Sequence, residues 1–230
     1  MTKKHEPGKH PKVSVGEVVE KSEDFLTRNQ KPILIGIGVI ILAVVAFFGY
    51  RYLYKEPRNQ EALAQMYMAE LQFQQDSFNL ALNGEPGSYY GFLQIIDEFG
   101  STKAGNLSYY YAGISQLRLG HFEEAITLLK KYSSKDELVQ AKAYCGIGDA
   151  YVEQGNYNDA VTYFMKAANY KDNEFTPSYL MKAAMVYEEL GKYNEAIKLY
   201  ERVTVDYATS LEASTAEKEL VRAKILSQNS

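Results

Sequence analysis

The sequence has no tryptophan, one cysteine (Cys145), three histidines and six prolines in 230 residues. One cysteine excludes an internal disulfide. With only His5, His10 and His121 beside it, there is no ligand set for a structural zinc site. Positive charge is not in excess either. The 25 Lys and Arg face 29 Asp and Glu, a net charge of −4, which excludes a chain-wide basic surface for nucleic acid. Familiar catalytic motifs are also missing: there is no Gly-x-Ser-x-Gly, no His-Glu-x-x-His and no phosphate loop. Gly146-Ile-Gly148 has the start of a dinucleotide fingerprint but lies within a helical pattern. Cys145 has no histidine near it in sequence and reads as a packing residue. The sequence therefore gives no reason to expect an enzyme, a cofactor, a metal, a small-molecule substrate or a nucleic-acid partner.

What is present is unevenly distributed. From Ile33 to Tyr50 there are 18 residues without a charge, ILIGIGVIILAVVAFFGY. A spanning helix needs about 20 mostly apolar residues. Lys31 precedes the run and Arg51 follows it, positions from which long cationic side chains reach back to headgroups. Tyr50, Tyr52 and Tyr54 supply interfacial aromatics at the exit. A core helix would carry a polar stripe, and this run has none. A cleaved leader would have a short charged region before the apolar run and small residues after it; here residues 1–31 come first and the exit, FFGYRYLY, is bulky. The run is read as a permanent anchor. Residues 1–31 hold seven Lys and Arg and residues 51–81 hold three, so the N-terminus is expected in the cytoplasm and the large C-terminal part across the membrane. Residues 13–28 fit a short interfacial helix or a weakly ordered linker equally well.

Beyond the anchor the sequence repeats itself. Tyr151, Gly155, Tyr157, Ala160, Val161 and Phe164 recur as Tyr187, Gly191, Tyr193, Ala196, Ile197 and Tyr200. An earlier copy holds Gly120, Phe122, Ala125, Ile126 and Leu129. Periods of this length indicate a stack of supersecondary units. The residues suit paired antiparallel helices. Glycine ends the first helix in a left-handed conformation. Asn156, Asn158, Asn194 and Glu195 are candidate caps for the second. The recurrent alanine allows close helix approach, and Tyr and Phe fill the space between units. One pair cannot bury its own apolar face, so the pairs must stack.

This pattern resembles the tetratricopeptide repeat. In the best copy the carrying residues are Tyr144, Ile147, Gly148, Tyr151, Gly155, Tyr157, Ala160, Phe164 and Ala167, with Tyr144 where tryptophan is usual. The resemblance implies an all-α protein: a transmembrane helix, then a solenoid of about four helical hairpins and a capping helix. The expected divisions are a tail at 1–31, an anchor at 32–54, a degenerate hairpin at 55–103, three repeats at 104–206, and a capping helix with tail at 207–230. Within the degenerate hairpin, residues 57–83 read as one long helix and 89–100 as its partner, with Gly91 near the alanine position.

In such repeats the first helix of each pair lines a concave groove. Carried over by position, the partner-binding residues are Leu107, Tyr110, Ile114 and Leu117; then Lys142, Cys145, Asp149 and Val152; then Met181, Met185 and Glu188. With Lys142 the sole cation among them, they lack the basic set that grips a C-terminal carboxylate. They suit an apolar segment better, or pack away and leave no groove. Joined to the anchor and its approach (Glu20, Glu23, Phe25, Asn29), the repeats resemble the YfgM-like family of single-span bacterial inner-membrane proteins. That resemblance implies a periplasmic scaffold ancillary to the SecYEG translocon, with translocon subunits and a periplasmic chaperone or prolyl isomerase as partners. Other readings are an adaptor for another envelope process, or an organelle-surface receptor with cytosolic repeats.

Overall fold

The computed structural model describes residues 27–228. His5, His10 and the expected interfacial helix at 13–28, except Thr27 and Arg28, lie outside the described residues. The described chain divides at Lys55 into two compact units.

The first unit is helix α1, Gln30–Tyr50, followed by a wider π turn at Arg51–Lys55. None of these residues is buried. At 1.5 Å per residue the 21 residues of α1 extend about 32 Å. That length matches a hydrocarbon core of about 30 Å. The helix is long and apolar enough to cross a membrane. Around its exit Phe48 stacks on Tyr52 at 6.1 Å and Tyr50 on Tyr54 at 5.5 Å, each pair one turn apart.

The second unit is a helical solenoid. Its elements are α2 (Glu56–Gln74), α3 (Phe78–Asn83), strands β1 (Gly84–Glu85) and β2 (Tyr89–Tyr90), α4 (Phe92–Phe99), α5 (Lys103–Arg118), α6 (Phe122–Lys131), α7 (Glu137–Glu153), α8 (Tyr157–Tyr170), α9 (Thr176–Glu189), α10 (Tyr193–Asp206) and α11 (Ala213–Gln228). Helices α5/α6, α7/α8 and α9/α10 form the three regular hairpins, each packed on the next, and α11 closes against α10.

The hairpin turns repeat one mechanism. Gly120, Gly155 and Gly191 have φ of 82°, 72° and 68°. The amide after each donates to the carbonyl five residues back: His121 to Gln116, Asn156 to Tyr151 and Lys192 to Tyr187, at 2.8–2.9 Å. This is the Schellman closure, which satisfies carbonyls the helix end leaves free. N-terminal capping is less regular. Asn156 does cap α8, but Thr102 caps α5 and Asp136 caps α7, and Lys192 stands at the α10 cap position without a side-chain bond. Asn158, Asn194 and Glu195 lie inside their helices instead.

Ala125, Ala160 and Ala196 are each fourth in their helix and 0% exposed. They sit where the second helix of a pair meets the first. The core runs through the stack as three clusters. One is built around Met66, Phe92 and Ile95, a second around Leu129 and Ile147, and the third around Phe164, Leu180 and Tyr200.

Two expectations for the first hairpin are corrected. Residues 57–83 are not one helix: the chain breaks between Gln74 and Phe78, where Asp76 takes a φ of 56° and Ser77 donates to Gln72 at 2.9 Å. Asp is one of the few non-glycine residues that enter the left-handed region cheaply, so it ends this helix as glycine ends the others. The partner helix begins at Phe92, after a two-stranded ribbon pairing Gly84 with Tyr90 and Glu85 with Tyr89. Gly91 is the residue before α4 rather than the alanine equivalent, and a Cβ on it would strike the backbone of Leu82–Gly84. The fourth residue of α4 is Ile95, fully buried.

Polar contacts between successive repeats are also periodic. Tyr170 donates to the Ser134 carbonyl 36 residues back. Lys182 reaches Asp149 at a separation of 33, Lys192 reaches Asn158 at 34, and Arg202 reaches Asn169 at 33. Tyr207 donates to Asp172 at 35, and Arg222 to Glu188 at 34. Each joins one repeat to the next. In the irregular first hairpin the separations lengthen: Ala104 donates to Asn59 across 45 residues and Arg58 to the Glu98 carbonyl across 40.

Candidate functional site

Helices α5, α7 and α9 carry all eleven groove candidates, and the structure divides them into two groups. One group is packing. Tyr110, Ile114 and Leu117 are partly buried against the cluster that includes Ile126, Leu129 and Ile147; Leu107 joins both that cluster and the one before it. Ile114 and Leu117 lie over Gly146 of α7, where a Cβ would stand 3.0 Å from Ile114 Cδ1. They fill the gap between successive first helices. Cys145 and Met181 are each 8% exposed, and Val152 packs on the same cluster as they do. These side chains hold one repeat on another and present little surface.

The second group is charged or exposed, and within it Glu188 has a side chain only 8% exposed. Met185 is 55% exposed. Lys142 is half-buried and its ammonium lies over the Phe175 ring at 4.3 Å. Asp149 accepts from Lys182 Nζ at 2.5 Å, and Glu188 pairs with Arg222 of α11. Lys182 and Arg222 were not among the candidates. The spacing of one repeat between each and its partner is the signal that finds them.

Burial governs the ionisation of this region. It pushes the Cys145 thiol up to about 12, with the Asp149 carboxylate adding to the effect. The thiol donates to Asp149 Oδ2 at 3.9 Å. Burial likewise raises the Tyr110 hydroxyl to about 12, and raises Tyr179. Burial works against the charge of Lys182, but Cys145 and Asp149 beside it outweigh this and its pKa is raised. Burial raises the Glu188 carboxyl above its ordinary range against the opposing pull of Arg222, with Glu219 adding to the rise. The Tyr179 hydroxyl is buried without a hydrogen-bond partner. Cys145 is thus a neutral thiol held beside an ion pair, with no activating base. Among the described residues no three His, Cys, Asp or Glu side chains converge on a metal position.

The signature residues serve the fold. Gly148 sits where a Cβ would stand 2.6 Å from the Phe164 ring. Gly113, which the sequence pattern did not single out, does the same one repeat earlier against Leu129. Tyr151 accepts from Lys130 Nζ at 2.9 Å, and Lys166 lies 4.1 Å from the Tyr144 ring. Tyr163 stands between these pairs, 5.6 Å from Tyr151 and 6.5 Å from Tyr144. These ring and cation contacts hold α7 on α8, and Lys130 of α6 joins them to the repeat before. Tyr157, Tyr187 and the signature Tyr200 pack on the last cluster, while Tyr193 is half-buried.

Residues 107–136 and 139–204 match family models described as tetratricopeptide repeat. Tetratricopeptide repeat protein 29 of Macaca fascicularis is 27% identical over 118 residues, covering 47% of this chain and 25% of that protein. Superkiller complex protein 3 of Mus musculus is 26% identical over 122 residues, covering 52% of this chain and 8% of that protein. The chain thus spans a quarter or less of the length of these curated relatives. A solved structure of Podosopora anserina putative kinesin light chain nearly identical TPR-like repeats aligns with a TM-score of 0.58 at 16% identity, over 74% of this chain and 88% of that one. At that identity the likeness concerns the fold. The repeat is in general a scaffold for protein–protein contacts, and no enzyme family is indicated.

Proposed function

Because the chain carries tetratricopeptide repeats over 107–204, we propose that it is a membrane-tethered scaffold whose repeats recruit protein partners to the membrane surface. The observation that carries this reading is the combination of a 21-residue apolar helix with no buried residue and a solenoid with a core of its own. A helix of that kind has no partner surface in its own unit, and a bilayer supplies one.

The surplus of Lys and Arg before the helix supports a cytoplasmic N-terminus and repeats on the opposite side. In a bacterial cell this places the repeats in the periplasm, anchored to the inner membrane. The same arrangement suits an ancillary component of the Sec translocon. Its repeats would hold a chaperone or prolyl isomerase near emerging chains. The domains follow the same division: tail at 1–31, anchor at 32–54, irregular hairpin at 55–103, repeats at 104–206 and cap at 207–230. The functional surface is the solvent-reaching part of the first-helix face, Lys142, Asp149 and Met185, with Glu188 held beneath Arg222.

The test has two arms. Protease treatment of sealed inner-membrane vesicles of known orientation reads the topology. Repeats protected in inside-out vesicles are expected, and repeats cleaved there would reverse the assignment. Purification in mild detergent reads the partners. Recovery with translocon or chaperone subunits is expected, and recovery alone would remove the scaffold reading.

A further inference from the structure

Asp149, Met185 and Val221 follow one another at intervals of 36 residues and occupy the same place on α7, α9 and α11. Two ion pairs bind these helices together: Asp149 with Lys182, and Glu188 with Arg222. Lys182 is one turn before Met185 and Glu188 one turn after, so Met185 lies between the two pairs. Arg222 adjoins Val221. The capping helix therefore continues the first-helix face, and its part is the most apolar. Met185 is 55% exposed, Val221 60% and Ile225 57%. A helix serving merely to cover the end of a solenoid presents a polar outer surface.

The charges beside these side chains are unbalanced. Glu153 and Glu189 lie one turn beyond Asp149 and Met185, and Glu217 lies one turn before Val221. All three are exposed, and among the described residues no cation pairs with them. Glu188 and Glu219 share Arg222, which leaves that cluster negative. Of the three cations on α11, Arg222 is shared by Glu188 and Glu219 and Lys224 pairs with Glu201 of α10, which leaves Lys218 to oppose these carboxylates.

We infer that the face of Met185, Val221 and Ile225 receives an amphipathic segment of a partner protein whose apolar residues are interspersed with Lys or Arg. The apolar side chains of the segment cover the three exposed residues, as in a helix laid in a groove. Its cations meet Glu153, Glu189 and Glu217, which steers encounter and rejects acidic segments. This rests on the scaffold reading and names the chemistry of what the scaffold holds.

The experiment uses the full chain in nanodiscs of zwitterionic lipid, with empty discs as the blank. Short dye-labelled peptides of leucine–lysine, leucine–glutamate and serine–glycine are titrated by fluorescence anisotropy. The leucine–lysine peptide is expected to bind, more weakly as salt rises. A Met185→Ser/Val221→Ser double variant should weaken it about five-fold or more, the scale of an interface hot spot. Val205→Ser, at a 75% exposed apolar residue on α10, should leave it unchanged. Equal affinity for the leucine–glutamate peptide, or an equal loss with Val205→Ser, overturns the inference. So does failure of all three peptides while protein partners still copurify. Absence of partners from the unaltered chain overturns the scaffold reading itself.

Discussion

Gly148 and Gly155 show that one residue type answers two different demands. Gly155 has φ 72° and nothing within 4 Å of where a Cβ would be, so backbone conformation requires it and space does not. Gly148 lies inside α7, and there the Phe164 ring requires it. Substitutions separate the two. Gly155→Ala is expected to cost about 1–2 kcal/mol, with Gly155→Asn recovering part of it, because Asn tolerates the left-handed region. Gly148→Ala is expected to cost about 1–3 kcal/mol by overpacking, and Gly148→Asn more than Ala. Denaturant midpoints of the four variants check the ordering. Cys145 gives a second prediction. A thiol raised to about 12 by burial is almost wholly protonated at neutral pH. A disulfide-exchange reagent should label it slowly in the native protein and rapidly once denaturant opens α7. Rapid native labelling would contradict the burial described.

The hairpins record which elements were legible in the sequence. α5 to α10 follow from the recurring glycine, aromatic and alanine, because each hairpin uses the same turn and the same close contact. The first hairpin was legible as two helical stretches, but its break and its packing residue were not. Its turn residue is Asp76, and its packing residue is Ile95 rather than a small one. A reading keyed to glycine and alanine passes over both. The face was half legible: position in the repeat marks a residue as belonging to the first-helix side, but whether it packs or is presented depends on its neighbour one repeat away. Ile114 packs because the facing residue is Gly146, whereas Met185 stands clear.

The α9–α11 ion pair yields a prediction at this scale. Glu188 faces Arg222 and Glu219 of α11, Tyr200 of α10 and Glu189 of its own helix, and its carboxyl is raised above its ordinary 4.5 chiefly by burial. A carboxyl raised in the folded state favours folding while protonated, and that contribution is lost as pH rises through the folded pKa. The melting temperature of the unaltered chain, relative to Glu188→Gln, should therefore fall between pH 4.5 and neutrality. A difference that is flat or rises with pH would contradict it.

At the scale of the molecule, the two units obey different solvents. The solenoid buries its apolar residues within itself, and α1 buries none. A chain beginning at Glu56 is expected to be soluble and to melt cooperatively by circular dichroism. The full chain should remain with membranes after alkaline carbonate extraction.

The repeat-length contacts have a kinetic consequence. In the regular hairpins, six side-chain contacts joining one repeat to the next close loops of 33–36 residues and Lys130 to Tyr151 closes 21, so each costs a similar, modest chain entropy. No step in assembling those repeats demands a much longer closure than the step before. Such a chain has low contact order and should fold quickly from any nucleated hairpin outward. It should also fray in order, with amide exchange fastest in α11, which has a neighbour on one side, and slowest in α7 and α8, which have neighbours on both.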